Sequence, residues 1–209
     1  MISIMNKSFA VVESDILKSN ESTVTVVESD ILKSNESTVM VVEGDILKSN
    51  ESYIVHQCNC ITVNSYGLAK SINTKYPWAN LYSKRKKIGN TNYGTVDTRD
   101  IPGTIKICSS PLGNKNIICM FAQYNPGKPK LSKSLDNIID NEDTSFNRSK
   151  WFTECLDKIA KELPNVKTFS FPFYIGCGLA GGNWVLYKKH LDNFSKLYNK
   201  NVILYKLIT

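Results

Sequence analysis

The sequence predicts an α/β fold, a mixed and mainly parallel sheet covered by helices on both faces. Three observations lead there. From residue 39 onward, short runs of β-branched residues alternate with amphipathic stretches of helical period. Pro164 stands just beyond one such stretch, where a helix should stop. Polar and glycine-rich segments join strand to helix, the places where open α/β sheets bind ligands.

The elements follow in order. TVMVVE and YIVHQC read as short buried strands. GLAKSINTKYPWANLYSKRKK reads as helical turns interrupted before Pro77. TIKIC and IICMFAQ are strands again, and the polar run 131–147 reads as a loop or lid. In RSKWFTECLDKIAKEL, Trp151, Cys155, Leu156, Ile159 and Leu163 form one stripe of an amphipathic helix. TFSFPF is a strand, NWVLYKKHLDNFSKLY a helix and NVILYKL the last strand.

Ahead of these elements the chain repeats itself. VVESDILKSNES at 11–22 and 26–37 returns at 41–52 as VVEGDILKSNES. A period of 15 residues is shorter than solenoid or propeller units, which run roughly 20–50. We read residues 1–40 as a duplicated N-terminal extension holding two spare copies, and 41–209 as the folded domain. Only the last copy has Gly44 where the others have Ser14 and Ser29. The expected reason is close approach of a ligand to the Gly44 backbone.

The chain has 209 residues and a net charge of +7, and its first 40 residues carry three lysines against six carboxylates. The positive balance therefore belongs to the domain, which suits a phosphate-bearing partner or a lysine-rich solvated surface about equally. No apolar run reaches the roughly 20 residues of a membrane span, and the N-terminus has no leader pattern. A cytoplasmic protein with reduced thiols is expected, with no membrane partner. Among six cysteines, CNC (58–60) is too short for a zinc knuckle, and the chain has two histidines. No metal and no cofactor are expected.

Three segments carry the candidate chemistry. GDI (44–46) ends the first strand and puts a carboxylate where an exocyclic amine could be recognised, although a plain turn explains these residues as well. HQCNCITVNSYGLA (56–69) places Asn59 for a sugar hydroxyl and opens a helix at Gly67, whose amides suit a phosphate. FPFYIGCGLAGGNW (171–184) clusters Gly176, Gly178, Gly181 and Gly182 between strand and helix, an anion nest or a hinge. It is not a dinucleotide fingerprint, because no opening β-α-β unit with a distal acidic residue accompanies it.

Taken together, GDIL, IVHQCNC, GLA, MFAQY and IGCGLAGGNW resemble, in order, the macrodomain family of ADP-ribose-binding proteins. The resemblance spans about 41–207 and implies a three-layer α/β/α macrodomain. It implies an ADP-ribose crevice contacted by Gly44, Asp45 and Ile46 at the adenine, and by Cys58, Asn59 and Cys60 near the distal ribose. Gly67, Leu68 and Ala69 would flank the diphosphate on one side. Ile175, Gly176, Cys177, Gly178, Leu179, Ala180 and Gly181 would flank it on the other. Asp45, Asn59 and Gly178 should therefore line one hollow.

HxCNC is most similar to the branch of ADP-ribose 1''-phosphate phosphatases, which implies His56 and Asn59 as catalytic residues. The implied reaction is hydrolysis of ADP-ribose 1''-phosphate to ADP-ribose and phosphate. His56 would assist proton transfer, since imidazoles titrate near neutrality. Two alternatives stand beside it: a non-catalytic reader of ADP-ribose or ADP-ribosylated protein, and a hydrolase that removes ADP-ribose from a macromolecule. The branch cleaving acidic side-chain adducts uses Lys and Asp where this chain has Tyr124 and Ala180, and no motif match makes Lys128 a substitute. Nucleic acid is not an expected partner, because no aromatic-glycine RNA signature is present.

Overall fold

The computed structural model describes residues 38–129 and 143–208. The spare repeats and positions 131–142 of the expected lid lie outside the described residues. Six strands form one sheet: β1 (Val39–Glu43), β2 (Tyr53–Asn59), β3 (Ile105–Ser109), β4 (Asn116–Gln123), β5 (Thr168–Pro172) and β6 (Asn201–Lys206). Three helices join them: α1 (Gly67–Lys75), α2 (Ser145–Glu162) and α3 (Trp184–Tyr198). The strand order is β1-β6-β5-β2-β4-β3. Every neighbouring pair is parallel except β3 with β4.

Local sequence accounts for the boundaries. The Thr144 hydroxyl accepts the Asn147 N–H at 3.1 Å and starts α2 at Ser145, three residues earlier than the apolar stripe indicates. Residues 143–147 thus belong to a helix start, not to a lid. Asn183 caps α3 in the same way, accepting the Leu186 N–H. Asn199 ends that helix in the left-handed conformation, φ +50°. The expected domain boundary at residue 41 falls inside β1, which begins at Val39. Among the described residues no helix is long and apolar enough to cross a membrane.

The sheet separates two cores. Val55, Met120, Phe169, Phe171 and Leu204 pack against Phe152, Leu156 and Ile159 of α2 and Leu191 and Phe194 of α3. On the other face Ile54, Ile117 and Phe121 pack against Ile72 of α1 and Tyr82 of a 3-10 turn. The result is the expected three-layer arrangement. Each fully buried Ile, Leu or Phe stabilises it by about 1.5–3 kcal/mol. Five parallel strands end at one edge of the sheet. That edge gathers the segments following β1, β2, β4, β5 and β6, although they are far apart in sequence.

The glycine at 44 has a backbone explanation. An added Cβ would meet only Tyr205 Cδ1 at 3.8 Å, an ordinary contact, but φ is +158°, which side chains rarely adopt. Its N–H donates to the Lys206 carbonyl and closes the β1–β6 ladder. Conformation at the strand end, not crowding within the protein, is what favours glycine at position 44.

Candidate functional site

A cavity of about 310 Å³ opens at this sheet edge. Asn59 stands at its base, Gly67, Leu68 and Ala69 form one wall, and Ile175, Gly176, Gly178, Leu179 and Ala180 form the other. Pro126 and Gly127 after β4 add to the rim. Residues separated by more than 100 positions are thus brought to one hollow, as the sequence expects for Asn59 and Gly178.

Asn59 is held in a single orientation. Its Oδ1 accepts from the Ile61 N–H at 3.1 Å, the Thr62 N–H at 2.8 Å and the Thr62 hydroxyl at 2.9 Å. The side-chain oxygen is saturated, so the amide NH₂ is the group left to meet a ligand, as a donor. The Arg85 guanidinium backs this turn. It donates to the carbonyls of Asn59 and Thr62, pairs with Asp100 and lies 4.8 Å from the Tyr82 ring. Tyr82 lines the cavity, and its hydroxyl accepts the Asn59 N–H at 3.3 Å. Burial, reinforced by Cys58, pushes the Tyr82 phenol well up, so it stays neutral.

A second arginine holds the opposite rim. Arg148 is 2% exposed and makes a two-pronged pair with Asp143, which is fully buried. Its remaining donors reach the carbonyls of Gly127 at 2.6 Å and Ala180 at 3.0 Å. Asp143 also accepts the N–H groups of Tyr124 and Asn125. One guanidinium thereby joins the loop after β4 to the loop after β5.

The wall from 173 to 182 is a tight turn that needs glycine. Gly176 has φ +71°, and an added Cβ would lie 2.6 Å from both Gln57 Oε1 and Tyr187 Cε1. Tyr174 also has a left-handed backbone, φ +60°, unusual for a bulky residue. Its half-exposed ring stands 4.4 Å from Phe173 and 5.1 Å from Trp184, centroid to centroid. Gln57 donates to Gln123 at 2.6 Å, while its own Oε1 is buried without a partner.

Several expected site residues face elsewhere. Asp45 is absent from the cavity wall, because its carboxylate caps the following 3-10 turn and accepts the Leu47 N–H at 2.9 Å. It follows the last residue of β1, Glu43, by two positions. Gly44 also lies outside the wall, and Ile46 is buried in the α1-side core. The side chains of Cys58 and Cys60 point into that core too. Cys177 donates to the Ile175 carbonyl, and burial raises its thiol to about 11. Gly181 turns toward the Lys128 stem, and Lys128 itself is not in the wall. At the two departures from the family pattern, the Tyr124 hydroxyl accepts from Arg99 and the Ala180 carbonyl from Arg148.

His56 touches the cavity floor but is only 1% exposed. Its ring nitrogens face the sulfurs of Cys58 and Cys119, on the α1 side of the sheet. Strand alternation explains this: Val55 and Gln57 use one face, Ile54, His56 and Cys58 the other. In this conformation both ring nitrogens of His56 face sulfurs. Among the described residues, the wall contains no Asp, Glu, Lys or Arg.

No family model matches the sequence, and no curated protein matches it. Solved structures do. The macrodomain of Mycobacterium tuberculosis DarG superposes with a TM-score of 0.56 at 19% identity, over 81% of this chain and 97% of that one. The macrodomain of Thermus aquaticus DarG gives 0.52 at 17% identity, over 81% and 98%. A Trypanosoma brucei macrodomain in complex with ADP-ribose gives 0.50 at 9% identity, over 80% and 63%. With the mixed six-stranded sheet between two helical layers, these likenesses identify the fold of this chain as the macrodomain fold.

Proposed function

We propose that the cavity recognises an ADP-ribosyl group. The observation that carries this reading is the single hollow in which a donor-only Asn59 stands between two glycine-containing walls. Main-chain N–H groups at the start of α1 and in the 175–180 turn suit a diphosphate without a formal positive charge in the wall. The Asn59 NH₂ suits a ribose hydroxyl, and the Tyr174 ring offers an aromatic face for a base. Asp45, in the turn that follows β1, extends this reading toward the adenine. The macrodomain solved with ADP-ribose in Trypanosoma brucei adds support through a shared fold.

The finer reading is hydrolysis of ADP-ribose 1''-phosphate, for which the HxCNC pattern speaks. Water attacks phosphorus, the P–O bond to the ribose breaks, and the leaving oxygen takes a proton. Asn59 orients the distal ribose and the turn amides hold phosphoryl charge. His56 contributes by positioning the Cys58–Asn59 segment. Recognition without chemistry is the second reading, favoured by the buried imidazole and the uncharged wall.

Calorimetric titration with ADP-ribose should show one saturable site. Asn59→Asp keeps oxygen acceptors for the Ile61 and Thr62 amides but removes the donor. We expect at least a tenfold loss of affinity, about 1.4 kcal/mol, with the melting temperature little changed. Unaltered affinity would exclude Asn59 from ligand contact. Phosphate release from ADP-ribose 1''-phosphate separates enzyme from reader. Release by wild type, reduced in Asn59→Asp and less so in His56→Ala, supports hydrolysis, and no release with intact binding leaves the reader. A chain lacking residues 1–37 should bind ADP-ribose within tenfold of the full chain, and a larger loss would give the repeats a part in the site.

A further inference from the structure

The α1-side face of the sheet gathers sulfur and imidazole donors immediately beneath the cavity. His56 on β2 is paired directly with Cys119 on β4. Cys58 follows His56 by two residues and shares its face. Cys108 on β3 lies opposite Ile117, one step from Cys119 on the same face, and packs against the same core. The His56 Nε2 is 3.3 Å from Cys119 Sγ and 3.6 Å from Cys58 Sγ. One donor atom from each of His56, Cys58 and Cys119 falls within 4.8 Å of the others, and all three residues are buried.

The two nitrogen-to-sulfur distances are close to those of a tetrahedral soft-metal site. Bonds of about 2.3 Å to sulfur and about 2.0–2.1 Å to nitrogen place neighbouring donors roughly 3.5–3.8 Å apart. The hydrogen bonding of the other buried or half-buried thiols makes a contrast. Cys60, Cys155 and Cys177 each donate to a main-chain carbonyl, at 3.3, 3.2 and 3.3 Å. Cys58 and Cys119 instead face the imidazole, and the hydrogen-bonding neighbours of that ring among the described residues are these two sulfurs. A buried imidazole ordinarily finds an oxygen partner, so a ring turned toward thiols has the donor set of a metal site.

We propose that His56, Cys58 and Cys119 bind one thiophilic divalent cation such as zinc, as the three protein donors of a four-coordinate site. Each ligating cysteine loses its proton on binding, and neutral imidazole supplies the nitrogen. The ion ties β2 to β4 directly before Asn59, so its role is to hold the cavity floor. The sequence expects no metal because no spacing along the chain offers such a set. The donors come from two strands and meet only in the fold.

The test is metal content of the full chain, purified under reducing conditions after growth with zinc, and its spectrum after cobalt(II) exchange. About one equivalent per chain is expected, with a thiolate-to-cobalt charge-transfer band and tetrahedral visible bands. Zinc should also raise the melting temperature. Cys119→Ser should weaken cobalt binding at least tenfold, while Cys177→Ser, outside the cluster, keeps the spectrum. Folded wild-type protein without stoichiometric metal or the sulfur band overturns the proposal, even if Cys119→Ser does not fold. A band that survives in Cys58→Ser/Cys119→Ser overturns it too. None of these readouts depends on ADP-ribose.

Discussion

Arg148→Ala is expected to lower the unfolding free energy by about 3–5 kcal/mol, because it leaves the fully buried Asp143 carboxylate without its counter-ion. A folded domain has only about 5–15 kcal/mol to lose. The guanidinium also supplies the hydrogen bonds to Gly127 and Ala180, so the two rims should separate and ADP-ribose binding should fail. Urea unfolding of wild type, Arg148→Ala, Asp143→Ala and the double variant measures both parts. The double variant should recover some of the loss, since no buried charge is left unpaired. Loss of less than about 1 kcal/mol in Arg148→Ala would mean that water reaches Asp143 and that the clamp is not a clamp.

Gly176→Ala is expected to act on the site more than on the fold. The new methyl would be 2.6 Å from Gln57 Oε1 and from the Tyr187 ring, at a backbone φ of +71°. Neither neighbour can yield easily, because Gln57 is tied to Gln123 and Tyr187 is 2% exposed. Overpacking of this kind costs about 1–3 kcal/mol, and relief requires the 175–180 wall to shift. We expect ADP-ribose affinity to fall at least a hundredfold, about 2.8 kcal/mol, with a smaller drop in stability. Calorimetry beside a thermal melt reads the two separately. Wild-type affinity in this variant would show that the wall does not contact the ligand.

Much of the architecture is legible in the sequence. β-Branched runs marked the six strands, and the stripe from Trp151 to Leu163 marked α2. Proline and glycine punctuation set most boundaries, since these signals are local and the backbone obeys them locally. The start of α2 was misread as a lid because its cap, Thr144, lies in a polar run without apolar period. The cavity walls were legible as well, from glycines clustered between strand and helix. The two arginine clamps were not. Arg85 stands in a basic run and Arg148 in the first turns of a polar helix face, where a solvated charge is the ordinary expectation. Their partners, Asp100 and Asp143, are marked by no motif.

By itself the sequence determined the order of strands and helices along the chain and the glycine-rich turn that follows β5, because each depends on residues close together in the chain. It also set Asn59 at the C-terminal end of β2. Only the tertiary structure decided which way each side chain faces and what it meets. Strand alternation put the His56 ring beneath the cavity, with its nitrogens toward the sulfurs of Cys58 and Cys119. Asp45 was taken up by its own turn. Donors, acceptors and charges from separate strands become neighbours only when the sheet is assembled, and distance along the chain carries no record of that meeting.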